Sequence, residues 1–183
     1  MIHDTNGMRV IAGSLKGRNI HETRGHKTHP MSEKIRGALF NSFGDIVGLT
    51  VFDAFAGTGA VGIEAISRGA ASVQAVDSDK EAARTIQRNV IELGLREKIA
   101  FSQANVSSWL DNNSDSMFDI VITDPPYDNV SNELICKVSN SVKIGGVFVA
   151  SIPSSCQIEL SSNFTELSSK VYGEARLVFY RRK

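Results

Sequence analysis

Cysteine is scarce: Cys136 and Cys156, isolated in 183 residues, cannot supply a disulfide framework or a zinc site. No run of eighteen apolar residues occurs, which excludes a membrane-spanning helix. The first seven residues have no apolar signal core, so reduced thiols and a cytoplasmic setting are expected. There is no repeat and no low-complexity tract. His26 and His29 lie near one another, but no cysteine or carboxylate cluster completes a set of ligands, so no metal is expected. Net charge is zero, which removes any global pull toward nucleic acid.

What is present is a 42% hydrophobic chain of single-domain length, with its charge unevenly spread. Between Arg9 and Arg36 seven Arg or Lys face two Glu, a local surplus of five. Residues 8–21 alternate loosely around Gly13 and Gly17 and predict a small basic β-hairpin. Ser32 predicts the cap of a helix with Ile35, Ala38, Leu39, Phe40 and Phe43 on one face, ending near Gly44. From Leu49 strands and helices alternate. Strands are expected over 50–55, 72–76, 99–104, 118–123 and 146–152, helices over 61–69, 79–93, 106–110 and 132–140, and a closing strand pair over 164–170 and 176–181. Repeated β-α units imply an α/β fold with a parallel sheet covered on both faces. Residues 1–45 are expected to form a basic extension and 46–183 the main domain.

The organising stretch is 51–62, an apolar strand, a glycine turn and a helix start. Gly57 and Gly59 permit a sharp bend and leave no Cβ between backbone and ligand. The lysine of a phosphate-binding loop is missing. Gly57, Gly59 and Gly62 fit the dinucleotide spacing as well, so the glycines alone leave the ligand open. Asp53 favours a cationic nucleoside such as S-adenosylmethionine (SAM) over a pyrophosphate, which it would repel.

Strand ends one to four carry Asp53, Asp77, Asn105 and Asp124, which a parallel sheet brings to one edge. With SAM as ligand, Asp53 suits the amino-acid end, Asp77 the ribose hydroxyls and Asn105 the adenine edge. Phe55 and Ala56 supply apolar wall, and Ser78 and Val106 follow the second and third tips as further contacts. Asp124-Pro125-Pro126-Tyr127 is a stiff corner. The Asp124 carboxylate and the Pro125 carbonyl form an acceptor pair for an amine with two N–H groups, and Tyr127 offers a ring on which a base can stack.

Asp124-Pro125-Pro126-Tyr127 with the Asp53–Gly59 loop resembles the amino-methyltransferases of nucleic-acid bases. Residues 8–18, 30–41, 62–70 and the ending from Tyr172 resemble, more narrowly, the bacterial 16S rRNA guanine-N2 methyltransferase family, of the small-subunit methyltransferase D type. The resemblance covers nearly the whole chain. It implies a Rossmann-like class I SAM-dependent methyltransferase with a seven-stranded sheet, one strand antiparallel. It also implies methylation of the 2-amino group of one guanine in the small ribosomal subunit or its assembly intermediate. Three departures from the family pattern stand out: His29-Pro30-Met31 for Arg-Pro-Thr, Asn105 for Asp, and Ser151 for an acidic residue. Arg9, Lys16, Arg18, Lys27, Lys34 and Arg36 are the expected RNA contacts, on a monomer. The competing readings are an adenine-N6 or other base amino-methyltransferase, a non-catalytic SAM- or RNA-binding protein, and a dinucleotide-binding module. The first would ordinarily need a target-recognition segment, and none is visible.

Overall fold

A computed structural model describes residues 7–23, 31–127 and 130–183. Their order is α1 (Glu33–Phe43), β1 (Thr50–Ala54), α2 (Ala60–Ser67), β2 (Ser72–Asp77), α3 (Lys80–Glu92), β3 (Ile99–Gln103), α4 (Val106–Asn112), β4 (Phe118–Thr123), α5 (Asn132–Ser139), β5 (Val142–Pro153), β6 (Phe164–Tyr172) and β7 (Ala175–Arg182). The strands form one sheet in the order β3-β2-β1-β4-β5-β7-β6. Strands β1 to β5 run parallel, and β7 is antiparallel to both of its neighbours. The expected seven-stranded sheet with one reversed strand is therefore found.

Local chemistry sets the element ends. Ser32 Oγ accepts the Ile35 N–H at 3.3 Å and starts α1. Asp79 Oδ1 accepts the Ala82 N–H at 2.8 Å and starts α3. Alternation along each strand sends neighbouring side chains to opposite faces. Val51, Ile120, Ile122 and Val149 pack with α1, α2 and α3. Phe52, Ala54, Val121, Phe148 and Ala150 pack with α4 and α5, where Phe52 stacks on Trp109 at 5.0 Å. The apolar residues of the basic extension, Met8, Val10 and Ile20, lie in the first of these cores.

Two elements differ from expectation. Residues 8–21 do not form a regular hairpin but one antiparallel bridge, Arg9 with Asn19. The cause is competition for backbone donors. Ile11 and Ala12 give their N–H groups to the Glu64 carboxylate at 2.8 and 3.0 Å, and Leu15 gives its own to Ser67 Oγ at 3.0 Å. A ladder cannot continue through donors already spent on α2. Gly13 is fixed by the same contact, since a Cβ there would lie 1.8 Å from the Ser67 carbonyl oxygen. Strand β5 also starts earlier than expected, at Val142, because pairing with β4 resumes across a register shift between Phe118 and Ile120.

Candidate active site

The sheet order reverses direction between β1 and β4, which makes their carboxyl ends the crevice where open α/β sheets bind ligands. The loop after β1 is held from three sides. The Ala56 N–H donates to the Val76 carbonyl at 3.0 Å, and the Gly59 N–H to the Ala56 carbonyl at 2.8 Å. The Gly57 N–H donates to Asp77 Oδ2 at 2.8 Å. Phe55 adopts φ 67, a left-handed conformation that costs a side-chain-bearing residue about 1–2 kcal/mol. Gly59 sits at φ 78, and a Cβ there would meet Ile86 Cγ1 at 2.6 Å. A Cβ on Gly57 would meet nothing within 4 Å, so this glycine faces open space.

The four tips converge, with different occupations. Asp53 is only 2% exposed, and its Oδ2 accepts the Gly62 N–H at 3.1 Å. Burial raises its pKa to about 8 against that hydrogen bond, with Asp124 and Asp77 pushing the same way as burial. The carboxylate expected near the amino-acid end of the donor is thus a buried group beneath the turn, since the bend folds α2 back over it. Asp77 accepts from Gly57 through one oxygen and from the Asp79 N–H at 2.9 Å through the other. Each oxygen retains a further lone-pair site. Asn105 is exposed, and its Oδ1 accepts the Ser108 N–H at 3.2 Å as the cap of α4. Ser78 is exposed. Val106 is not a contact side chain: it is 3% exposed and packed in the second core, because it begins the buried stripe of α4.

At the end of β4, Pro125 is buried, Pro126 exposed and Tyr127 42% exposed. Burial raises the Asp124 pKa to about 6, opposed by the hydroxyl of Ser151. The same hydroxyl acts on Tyr127, whose pKa burial raises. Ser151, 2% exposed on β5, follows the Thr123–Ala150 pair and so reaches the corner from the neighbouring strand. Its role was not legible from spacing alone, since β5 contributes no carboxylate. Among the described residues no group of His, Cys, Asp and Glu could hold a metal ion.

The expected basic surface divides. Arg9, Lys16, Arg18 and Lys34 are exposed. Lys16 follows the Ser14–Ser67 contact at the far end of α2, about one eight-residue helix length, ~12 Å, from the glycine turn. Lys27 lies outside the described residues. Arg36 cannot contact RNA. It is 0% exposed, its Nη1 and Nη2 donate to the Met31 and Arg9 carbonyls at 3.2 and 2.6 Å, and its Nε lies 3.8 Å from Glu64. It falls on the core side of α1, in line with Leu39 and Phe40. Arg182, the last residue of β7, likewise donates to the Asn140 carbonyl at 2.8 Å and not outward.

The profile of the family described as "Conserved hypothetical protein 95" matches residues 8–181. The chain belongs to this family. A Haemophilus influenzae relative named "Ribosomal RNA small subunit methyltransferase D" is 26% identical over 181 residues, covering 95% of this chain and 92% of the relative. A Buchnera aphidicola relative of the same name is 34% identical over 119 residues, 64% of this chain and 62% of its own length. A solved Escherichia coli structure named "Putative methyltransferase yhhF" superposes with a TM-score of 0.85 at 25% identity, covering 96% of this chain and 98% of that one. The fold is the Rossmann-like one of class I methyltransferases, and the small-subunit methyltransferase D resemblance is borne out. None of these names states which base atom is modified.

Proposed function

We propose that this chain transfers a methyl group from SAM to the exocyclic 2-amino group of a guanine in 16S rRNA of the small ribosomal subunit. The observation that carries the reading is the Asp124-Pro125-Pro126-Tyr127 corner, set at the switch point with Asp124 close enough to Asp53 to raise its pKa. The residues present fit the methyl donor. The carboxyls of Asp77 and Asp124 both act on Asp53, so the crevice favours a cation. The open face of Gly57 leaves room for a flat nucleoside. Asp77 would hold the ribose through its remaining lone pairs, Asn105 and Ser78 the adenine side, and Phe55 and Ala56 the wall. Bound there, SAM supplies an electrophilic methyl carbon.

The chain's own residues handle the amine. An exocyclic amine is a weak nucleophile because its lone pair is delocalised into the base. Asp124, ionised above about pH 6, and the Pro125 carbonyl accept its two hydrogens and turn the lone pair toward the methyl carbon. Asp124 then takes the proton that the nitrogen loses. Tyr127 stacks on the base and helps to exclude water, so that alignment supplies most of the acceleration. Arg9, Arg18 and Lys34 contact phosphate. The names of the relatives support rRNA as substrate.

The test is a map of 2-methylguanosine in 16S rRNA from cells with the gene, without it, and with Asp124→Ala. One guanine should lose its methyl group in both of the latter. An unchanged map in the deletion refutes the reading, and a loss confined to an adenine-N6 mark assigns a different base.

A further inference from the structure

Asn89, in the last turn of α3, is 1% exposed and lies outside the site just described. Every polar atom of its side chain is used. Its Nδ2 donates one hydrogen to the His21 carbonyl at 3.0 Å and the other to the Thr58 carbonyl at 2.9 Å, while its Oδ1 accepts the His21 N–H at 2.8 Å. Thr58 stands between Gly57 and Gly59 in the loop after β1. His21 follows Ile20, whose N–H bonds to the Met8 carbonyl, and the same short pairing holds Arg9 opposite Asn19 and Val10 to Arg18. A single amide therefore ties the segment bearing two exposed arginines to the turn expected to carry the methyl donor. Met8 Sδ lies 4.0 Å from Thr58 Oγ1, a second contact between the same two pieces.

We propose that Asn89 is a positioning residue that makes the basic segment and the glycine turn one mechanical unit, so that RNA held by the segment tightens binding of the methyl donor. The inference rests on the rRNA reading above. The physical basis is shared ordering: whichever ligand immobilises one piece first lowers the entropic cost of immobilising the other. Linkage makes the effect reciprocal, so the donor tightens RNA binding by the same factor.

The test measures S-adenosylhomocysteine binding to the full chain by calorimetry, with and without small subunits isolated from cells lacking the gene. In the parent protein, subunits should tighten that affinity at least about fivefold, the lower end of usual coupling. In Asn89→Ala the two affinities should agree within about twofold. Amide exchange should also rise at Gly57 and Gly59 while the β4 amides keep their protection, which general destabilisation would not produce. If Asn89→Ala fails to fold, Asn89→Ser is read in the same way. Subunits that bind but leave the affinity unchanged in the parent, or a variant that keeps the parent's full factor, overturn the coupling and leave the enzyme reading standing. Subunits that do not bind the parent overturn both.

Discussion

Replacing Glu64 with Gln tests the contact that joins the basic extension to the sheet. Glu64 is fully buried and meets four donors: the Ile11 and Ala12 N–H groups, Arg68 Nε at 2.8 Å and, more distantly, Arg36 Nε at 3.8 Å. Arg36 is itself 0% exposed, and among the described residues Glu33 is the only other carboxylate that acts on it appreciably. Burial pulls the Arg36 pKa down, while Glu64 pushes it back up. Glu64→Gln leaves that guanidinium buried beside a neutral amide, a loss of about 3–5 kcal/mol for a broken buried pair. At roughly 2–4 °C per kcal/mol for a domain of this size, the melting temperature should fall by about 6–20 °C. Scanning calorimetry of the parent, Glu64→Gln, Arg36→Met and the double variant closes a thermodynamic cycle. The double variant no longer buries the Arg36 charge and should melt above Glu64→Gln. If Glu64→Gln melts within about 2 °C of the parent, or the double variant loses the sum of the singles, the pair is not the clamp described.

Other outcomes follow from the crevice. Gly59→Ala places a Cβ 2.6 Å from Ile86 Cγ1 at a left-handed φ, so donor affinity by calorimetry should drop at least about tenfold while the protein stays folded. The pH profile of kcat/KM for the donor, which reports the free enzyme, should have an acid limb near pH 6, falling tenfold per unit below it as Asp124 becomes protonated; a kcat/KM undiminished at pH 5 contradicts the acceptor role. Asp53 has a folded pKa of about 8 against an ordinary 3.8, so between these values the folded chain holds a proton that the unfolded chain has lost. Stability should therefore fall as pH rises from 4 to 8, and urea titrations of Asp53→Asn should show that slope flattened. Affinity for a cationic donor should run the other way, rising with pH in the parent and losing that rise in Asp53→Asn, as calorimetry at pH 6 and 8 would show.

The sequence displayed the sheet, the glycine turn and the proline corner because each carries a local signal. Strands announce themselves by apolar runs, the turn by Gly57 and Gly59, the corner by Pro125 and Pro126. Charge in the extension was harder to read. Seven basic residues suggested one RNA-facing surface, yet Arg36 points into the core and Lys16 sits a helix length from the turn. A signal for the first existed. Helix α2 is buried on every side, so Glu64 inside it demanded a buried cation, and Arg36 shares its helix with Leu39 and Phe40. Asn89 gave a similar sign, lying on the buried stripe of Ala82, Ala83, Ile86 and Val90. A polar residue on an apolar stripe reports a partner, but its identity depends on long-range packing that spacing does not encode.

The same partners explain why Asp53 survives as a poor choice for stability. Burial holds its carboxyl near pKa 8, and Asp124 and Asp77 on the same edge add to that, so the acids by themselves favour a protonated Asp53. A cation reverses that balance: it stabilises the ionised forms of Asp53 and Asp124 together, and ionised Asp124 is the form that can grip an amine. Donor binding and readiness for the base are then one electrostatic event, with proton release as its signature. Calorimetry of S-adenosylhomocysteine, which lacks the sulfonium charge, against SAM in two buffers of different ionisation enthalpy separates them at pH 7. SAM should release more protons than its neutral-sulfur product, and equal release would place the carboxyls too far from the sulfur to feel it.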